Sequence, residues 1–363
     1  MFTPRFDPNR PYNDLPPLPP AQDIETPAVL KKIIQARTAL ARLDMACHLI
    51  PNPDTITATI PLLEARASSA IENIITTHDE LFKAAWKVDT TPPPATKEAL
   101  RYKHALYAGW ESLKERPLST KTAQEVCSVL QARPALIRST PGTYIGDPAT
   151  GKRHYTPPEG KEIIENHLAN LEKFLYPAKE SPYDPLTIMA ATHYQFEAIH
   201  PFYDGNGRTG RILNILLLIQ SELITFPVLY LSSYIVENKA RYYQLLREVT
   251  TQGNWEEWLL FIVEGVEKTA TSTLAMINKL RDIQSTMEAD IRAAGITPAK
   301  ELTDLLFSSP YLRIRDVEEA GLVKRQQASH WLNSLVQQGI LLDHKVGREK
   351  FFINHAALNI LTA

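Results

Sequence analysis

The sequence is short of the residues on which several protein classes depend. Only two of its 363 residues are cysteine, Cys47 and Cys127, which excludes a disulfide framework and a cysteine-rich zinc site. We interpret both as buried thiols. The net charge is only −2, from 39 basic and 41 acidic residues, so the chain as a whole offers no positive surface to nucleic acid or anionic lipid.

Long apolar segments are also missing. The most apolar run, around residues 212–219, is far shorter than the ~20 residues that span a bilayer. The first 30 residues contain eight prolines and no apolar run typical of a secretory signal. We therefore predict a cytoplasmic protein without membrane contact. Because proline cannot continue a helix, residues 1–27 are predicted to form an arm that lies over the body.

Apolar residues recur at three- and four-residue spacing through most of the remaining chain, which predicts a mainly α fold. Three consecutive prolines, at 92–94, separate two of the helical segments. This pattern indicates an N-terminal helical region at 28–110 and a helical core at 111–290. The predicted helices span 30–43, 62–75, 97–113, 121–130, 161–174, 186–199, 211–223, 239–249 and 255–281.

One stretch departs from the helical period. Residues 141–160 combine four glycines with extended positions such as Tyr144, Ile145 and Tyr155, a composition that favours a β-hairpin. A long connecting loop explains the same composition equally well. If it is a hairpin, it is a flap of the kind that covers a site in a helical body.

The pattern changes again in the C-terminal residues 297–363. Three short helical segments precede two strand-like runs around Gly347. This order resembles a winged-helix domain in which residues 324–338 take the place of the recognition helix. Residues 300–363 hold eight basic and seven acidic side chains, too even a balance for many phosphate contacts. We therefore favour a protein-contact role for this domain over nucleic-acid binding.

The residues most suited to catalysis and ligand binding lie in one run of twelve, from His200 to Arg211. Three of the 14 glycines in the chain, Gly205, Gly207 and Gly210, fall within six positions between two predicted helices. Glycine lets backbone N–H groups turn inward, and the first N–H groups of a helix have no partner inside it. Such a turn is typical of an anion site.

Charged side chains in the same run suit a phosphate ligand. Arg208 and Arg211 stand at the start of a helix, where positive charge is unfavourable unless an anion is bound. Asp204 would be repelled by phosphates unless a cation such as Mg²⁺ lay between them. His200 is the natural general base, because imidazole takes up protons near neutral pH. Singly these features have ordinary structural explanations, but together they favour a catalytic loop.

This run resembles the signature of the Fic family, His-x-Phe-x-(Asp/Glu)-Gly-Asn-Gly-Arg-x-x-Arg, and it meets every fixed position. The similarity extends over about residues 60–260. It implies a Fic-type helical core with a β-hairpin flap. It also implies transfer of AMP from ATP to a hydroxyl side chain of a target protein. The target would add a strand to the flap, with Ile145 as the clamp residue.

The resemblance further implies a role for each matching residue. His200 would deprotonate the target hydroxyl, Phe202 would anchor the loop in the core, and Asp204 would hold Mg²⁺ at the phosphates of ATP. One tyrosine of the pair at 242–243 is equally well explained as a core residue. The residues that would bind the nucleotide are Gly205, Asn206, Gly207, Arg208, Thr209, Gly210, Arg211, Tyr242 and Tyr243.

A second motif lies upstream, at Ser68, Glu72 and Asn73. Ser68 and Glu72 share one helical face, in a helix that Pro61 is placed to start. The pattern fits (Ser/Thr)-x-x-x-Glu-(Gly/Asn), which in the Fic family marks an inhibitory helix. The resemblance therefore implies that Glu72 pairs with Arg211 and denies the γ-phosphate its cation.

Other functions stay open on the sequence alone. The same loop could serve related chemistry, with another nucleotide or phosphocholine as donor, or removal of AMP with Glu72 positioning water. The chain could instead be a regulator that acts through residues 297–363. A homodimer is compatible with the sequence, which does not require one.

Overall fold

The computed structural model describes residues 6–50, 52–88, 91–147, 150–176 and 181–362. The fold is mainly helical, as predicted, with two small antiparallel sheets. The helices are α1 (Pro27–His48), α2 (Asp54–Ile71), α3 (His78–Ala85), α4 (Pro94–Ser112), α5 (Thr120–Gln131), α6 (Lys161–Leu175), α7 (Pro185–Ile199), α8 (Asn206–Gln220), α9 (Leu231–Glu237), α10 (Lys239–Gln252), α11 (Trp255–Ala293), α12 (Ala299–Ser308), α13 (Ile314–Glu319), α14 (Arg325–Gln337) and α15 (His355–Thr362). The strands are β1 (Ile145–Gly146), β2 (Arg153–Tyr155), β3 (Tyr311–Arg313), β4 (Leu342–Val346) and β5 (Glu349–Ile353).

The sequence pattern predicted all the long helices and missed three of the short ones. All nine helices expected between residues 30 and 281 are present. α3, α9 and α15 were not predicted, because each has only seven or eight residues, too few for a helical period to show. Within the described residues, no helix is both long enough and apolar enough to cross a bilayer.

The prediction that Pro61 starts a helix was wrong, because Pro61 lies inside α2. A proline removes the donor for the carbonyl four residues earlier, Thr57 O, and crowds it. Tyr107 Oη donates to Thr57 O at 2.5 Å, and Lys103 Nζ donates to the next carbonyl, Ala58 O, at 2.9 Å. These two side chains come from α4. They replace the hydrogen bonding that the proline disrupts, so α2 continues through it.

Apolar side chains form two cores, and three helices, α2, α4 and α11, contribute to both. α11 places Trp258 in the first core and Met287 in the second, which is built mainly by α12–α15 and β3–β5. α2 likewise places Ile60 in the first core and Leu63 in the second. The helix that carries the upstream motif is therefore packed between the helical core and the C-terminal elements.

The C-terminal elements form a winged-helix-like unit. Their order is α12, β3, α13, α14, β4, β5 and α15, and the antiparallel sheet has the order β3-β5-β4. The predicted series of three helices followed by a hairpin is confirmed. The short strand β3, which joins the hairpin to make three strands, was not predicted. The domain limits drawn from the sequence stay predictions.

Within residues 6–26 the chain forms no helix, and its apolar side chains Leu15 and Leu18 are buried on the body. Leu18 N donates to Asn170 Oδ1 and Asn170 Nδ2 donates to Leu18 O, both at 2.9 Å. Tyr12 N donates to Thr156 O at 3.0 Å. This part of the predicted arm therefore lies over the body and reaches the base of the flap.

Candidate active site

The glycine-rich loop joins α7 to α8 and is closed by its own side chains. His200 and Gly205 have left-handed backbone conformations, with φ of 50° and 82°. Asn206 Oδ1 accepts from Phe202 N at 2.8 Å, and Asn206 Nδ2 donates to Phe202 O at 2.7 Å. The Asn206 side chain thus holds the loop shut. The first N–H groups of α8 remain the part of this turn suited to an anion, and Phe202 is buried as expected.

Arg138 holds the backbone of His200, and the sequence had not singled it out. Arg138 is 1% exposed. Its Nε donates to His200 O at 2.5 Å, and its Nη2 donates to Pro158 O at 2.6 Å and to Ile199 O at 3.1 Å. The carbonyls it binds lie at the end of α7 and at the base of the flap. Arg138 therefore joins the glycine-rich loop to the hairpin.

Burial keeps the imidazole of His200 in its neutral form. Burial lowers its pKa to about 4, and the positive charge of Arg138 acts in the same direction. The ring is therefore neutral at pH 7. A neutral imidazole beside an anion site is in the protonation state that a general base requires.

The predicted contact between Glu72 and Arg211 is present. Arg211 Nη2 donates to Glu72 Oε1 at 2.7 Å, and Arg211 also donates to Ser68 through Nε to Oγ at 2.8 Å and Nη2 to O at 3.0 Å. Only 2% of the Arg211 side chain is exposed, against 35% for Glu72. Burial alone would lower the pKa of Arg211, but the Glu72 carboxylate, with smaller contributions from Tyr242 and Glu197, outweighs burial and the pKa is raised.

Glu72 lies directly over the start of α8. A Cβ on Gly207 would collide with Glu72 Oε1 and would approach Arg211 Nη1 to 3.0 Å. The carboxylate therefore occupies space beside the backbone N–H groups that an anion would use. Asn73 follows with φ of 61°, and its Oδ1 accepts from Lys239 Nζ at 3.1 Å. This turn directs the chain away after Glu72.

The other arginine of the loop has a different partner. Arg208 Nη1 donates to Glu98 Oε1 at 2.5 Å, and Arg208 Nη2 lies 3.8 Å from Asp204 Oδ1. The Arg208 side chain is 3% exposed and that of Glu98 29%. The sequence did not point to Glu98, which lies 110 residues before Arg208.

Asp204 is the exposed carboxylate of the loop, with 60% of its side chain accessible. Its Oδ1 accepts from Gly205 N at 2.6 Å. The described residues contain no cluster of three or more side chains that could cage a metal. One carboxylate at an anion site fits Mg²⁺, which is commonly held by one or two carboxylates together with substrate phosphates.

A cavity of about 510 Å³ opens between the flap, α7 and α10. Ile145 lines it from the flap and Tyr243 from α10. Tyr242 points elsewhere, since it is 1% exposed and its Oη lies 2.9 Å from Nε2 of His193. Tyr242 is therefore the core residue of the tyrosine pair, and Tyr243 is the one that faces the cavity.

The flap is a hairpin, and the alternative of a plain loop was wrong. Ile145 pairs with Tyr155 and Gly146 with Arg153. Pro148 and Ala149, inside the predicted hairpin, lie outside the described residues. The flap and the loop are thus joined through Arg138, and the flap contributes one wall of the cavity.

Gly210 lets α8 approach α7 closely, and neither Thr209 nor Gly210 lines the cavity. Thr209 is fully buried. A Cβ on Gly210 would approach Glu197 Oε1 to 2.8 Å and His193 Nδ1 to 3.3 Å. Glu197, which the sequence did not single out, also lines the cavity, and burial raises its pKa to about 7.

Both cysteines are buried thiols, as predicted. Burial raises the pKa of Cys127 to about 11, and its Sγ donates to Asp204 O at 3.4 Å. Burial also raises the pKa of Cys47 to about 12. Neither thiol is activated as a nucleophile.

Comparison with known protein families agrees with this geometry. Residues 30–111 match the family model "Fic/DOC family N-terminal", and residues 118–218 match "Fic/DOC family". Residues 292–357 match "Protein adenylyltransferase SoFic-like, C-terminal domain". The helical core and the loop define a Fic-type protein. The two Fic/DOC matches together cover half of the chain, and the chain belongs to the Fic/DOC family.

Curated relatives match over a shorter segment. Protein adenylyltransferase fic-1 of Caenorhabditis briggsae is 32% identical over 110 residues, which are 30% of this chain and 20% of that protein. Protein adenylyltransferase Fic of Drosophila melanogaster is 30% identical over 112 residues, 31% of this chain and 21% of that protein. The chain thus spans about a fifth of the length of these relatives.

Solved structures share the fold. A Fic family protein from Desulfovibrio desulfuricans has a TM-score of 0.56 at 18% identity, covering 92% of this chain and 98% of its own. Fic-1 from C. elegans has a TM-score of 0.53 at 20% identity, covering 69% of this chain and 74% of its own.

Proposed function

We propose that the chain is a protein adenylyltransferase that transfers AMP from ATP to a Ser, Thr or Tyr hydroxyl of a target protein and is inhibited in cis by Glu72. The observation that supports it most is the position of His200, a neutral imidazole beside the N-terminus of α8. Relatives named protein adenylyltransferases support the same activity.

The proposed reaction is an in-line displacement. The target hydroxyl oxygen forms a bond to the α-phosphorus of ATP, the bond from that phosphorus to the α,β-bridging oxygen breaks, and pyrophosphate leaves. His200 takes the hydroxyl proton as the bond forms. The N–H groups of Gly207 and Arg208 face the phosphates, and catalysis comes mainly from positioning and charge stabilisation. Tyr243 borders the rest of the nucleotide in the 510 Å³ cavity.

Mg²⁺ fits this arrangement through Asp204. When bound, it would neutralise part of the phosphate charge that otherwise repels this carboxylate. Arg208 and Arg211 would supply further positive charge to the β- and γ-phosphates. Arg211 can do so only after it exchanges Glu72 for phosphate, since Glu72 now lies over Gly207.

Inhibition follows from that exchange. A γ-phosphate and the Glu72 carboxylate would compete for Arg211 and repel each other beside the start of α8. ATP that cannot reach Arg211 binds with its phosphates out of line for transfer. Removal of the carboxylate should therefore raise activity without any change in the catalytic loop.

The flap offers a place for the target. β1 pairs with β2 on one side, and Thr156, next to β2, pairs with the N-terminal arm through Tyr12. The outer edge of β1 is therefore the edge to which an extended target segment would add. Ile145 on β1 also lines the cavity, so it contacts both the target and the nucleotide site in this proposal.

Intact-mass spectrometry after incubation with ATP and Mg²⁺ tests the proposal. We expect Glu72→Gly to gain one or more adenylates by self-modification and wild type to gain far fewer. The matched control is Glu72→Gly combined with His200→Ala, which should gain none. An added mass other than adenylate from a panel of nucleotides, or equal labelling of the control, would contradict the assignment.

A further inference from the structure

The outer strand of the C-terminal sheet is exposed along its whole length. β4 pairs with β5 on one side only, and the sheet order β3-β5-β4 leaves its other side at the edge. All five residues of β4 are exposed. Two of them are large apolar residues, Leu342 at 52% and Val346 at 38% exposure. An edge of this kind offers unpaired N–H and C=O groups to another strand.

The charges on β4 are not balanced within its own sheet. Asp343 pairs with Lys350 on β5, with Oδ2 and Nζ 2.9 Å apart. Lys345 lies directly opposite the same Lys350 in the strand register. Like charges at directly opposite positions are unfavourable. Lys345 has no acidic partner among the described residues, so an acid arriving from the open side would relieve this repulsion.

We propose that β4 is a homodimer interface, in which β4 of one copy pairs antiparallel with β4 of a second copy about a twofold axis at His344. In this register Asp343 lies opposite Lys345 of the second copy, and Lys345 lies opposite Asp343. Leu342 lies opposite Val346, so the exposed apolar side chains also meet. The five-residue strand is therefore complementary to itself in charge and in apolar contacts.

The start of β4 also lines a cavity of about 620 Å³, through Leu342, Asp343 and His344. Its other walls come from β3, β5, α3 and α15. The proposal concerns association only and does not depend on adenylyl transfer.

Charge variants of the full chain test the pairing by sedimentation velocity over a range of concentrations. Lys345→Asp makes β4 acidic and Asp343→Lys makes it basic, so each variant alone repels its own copy. Each should weaken self-association by at least roughly tenfold, since two favourable cross-strand pairs become unfavourable ones. An equimolar mixture of the two variants should associate again, because each acid then faces a lysine. Native mass spectrometry of variants made with different tags identifies the mixed dimer.

Two controls separate pairing from misfolding. Lys345→Asp places a carboxylate opposite Lys350 of the same chain, so the hairpin should be as stable as in wild type by circular dichroism. Lys324→Asp makes the same charge change just before α14, away from β4, and should leave association unchanged. A wild type that stays monomeric at about 100 μM, single variants that associate like wild type, or a mixture that fails to associate would each overturn the proposal.

Discussion

Two helices each supply one glutamate to one arginine of α8, and they do so from opposite ends. α4 presents Glu98 on its fifth residue, near the N-terminus, and α2 presents Glu72 at its C-terminal cap. A carboxylate is favoured at the positive N-terminal end of a helix and opposed at the negative C-terminal end. Glu98 lies just past the first turn of α4 and is not opposed by its own helix, whereas Glu72 is opposed by its helix and depends on Arg211.

This difference indicates which ion pair can open. Glu98 and Arg208 form a contact that helps to position the loop from α4. Glu72 is held by Arg211 against the field of its own helix, and its side chain is 35% exposed. A phosphate bound at the N-terminus of α8 is stabilised by that end of the helix, whereas Glu72 is opposed by the end of α2. The phosphate therefore competes well with Glu72 for Arg211. The comparison predicts that the two glutamates have opposite effects on activity.

The largest effect is expected at Arg211 itself. Arg211→Ala in the Glu72→Gly background should lower kcat/KM for adenylyl transfer by roughly 10²-fold, because one preorganised positive donor to the phosphates is lost. Labelled ATP and gel quantification of self-modification measure it. If this double variant kept the activity of Glu72→Gly, the competition for Arg211 would be wrong.

The next largest effect on adenylyl transfer is expected from substitution of the two glutamates. Glu72→Gly should raise adenylyl transfer at least several-fold, on the order of tenfold, since freeing one charged hydrogen-bond donor is worth about 1.5 kcal/mol or more. Glu98→Gly is the matched control and should lower activity, because Arg208 loses the group that orients it. Equal changes in both variants would remove the distinction between the helices.

A third carboxyl group near Arg211 predicts a pH effect on stability. The pKa of Glu197 is raised to about 7 by burial, so between about pH 4.5 and pH 7 the folded chain holds a proton that the unfolded chain has released. Stability from this group is therefore lost as pH rises through that window. Glu197→Gln should be more stable than wild type by about 3 kcal/mol at pH 8 and similar at pH 4.5. Urea unfolding at the two pH values checks this, and a difference that does not depend on pH would contradict it.

The smallest effect concerns the helix that carries Glu72. Tyr107→Phe removes the donor to Thr57 O, a carbonyl that Pro61 leaves without its helical partner. The free energy of unfolding should fall by about 1 kcal/mol. Thermal unfolding measures it, with Tyr144→Phe on the exposed flap as the control. No loss of stability would mean that α2 tolerates Pro61 without help from α4.

The sequence predicted the features that depend on residues close together in the chain. His200, the three glycines and both arginines lie within twelve residues, and the long helices follow from periodicity. The pairing of Glu72 with Arg211 came from a family motif, since the two residues are 139 positions apart. No such pattern marks Arg138, Glu98 or Glu197, because each acts on a partner that is close only after folding.

The sequence by itself therefore determined the mainly helical fold and the residues of the loop, because these depend on neighbouring residues and on the period of apolar side chains. The tertiary structure decided between a hairpin and a plain loop at 141–160, paired Glu98 with Arg208, placed Tyr243 at the cavity and carried α2 through Pro61. Those outcomes depend on which side chains meet between helices that are far apart in the chain. Local sequence patterns do not predict such contacts.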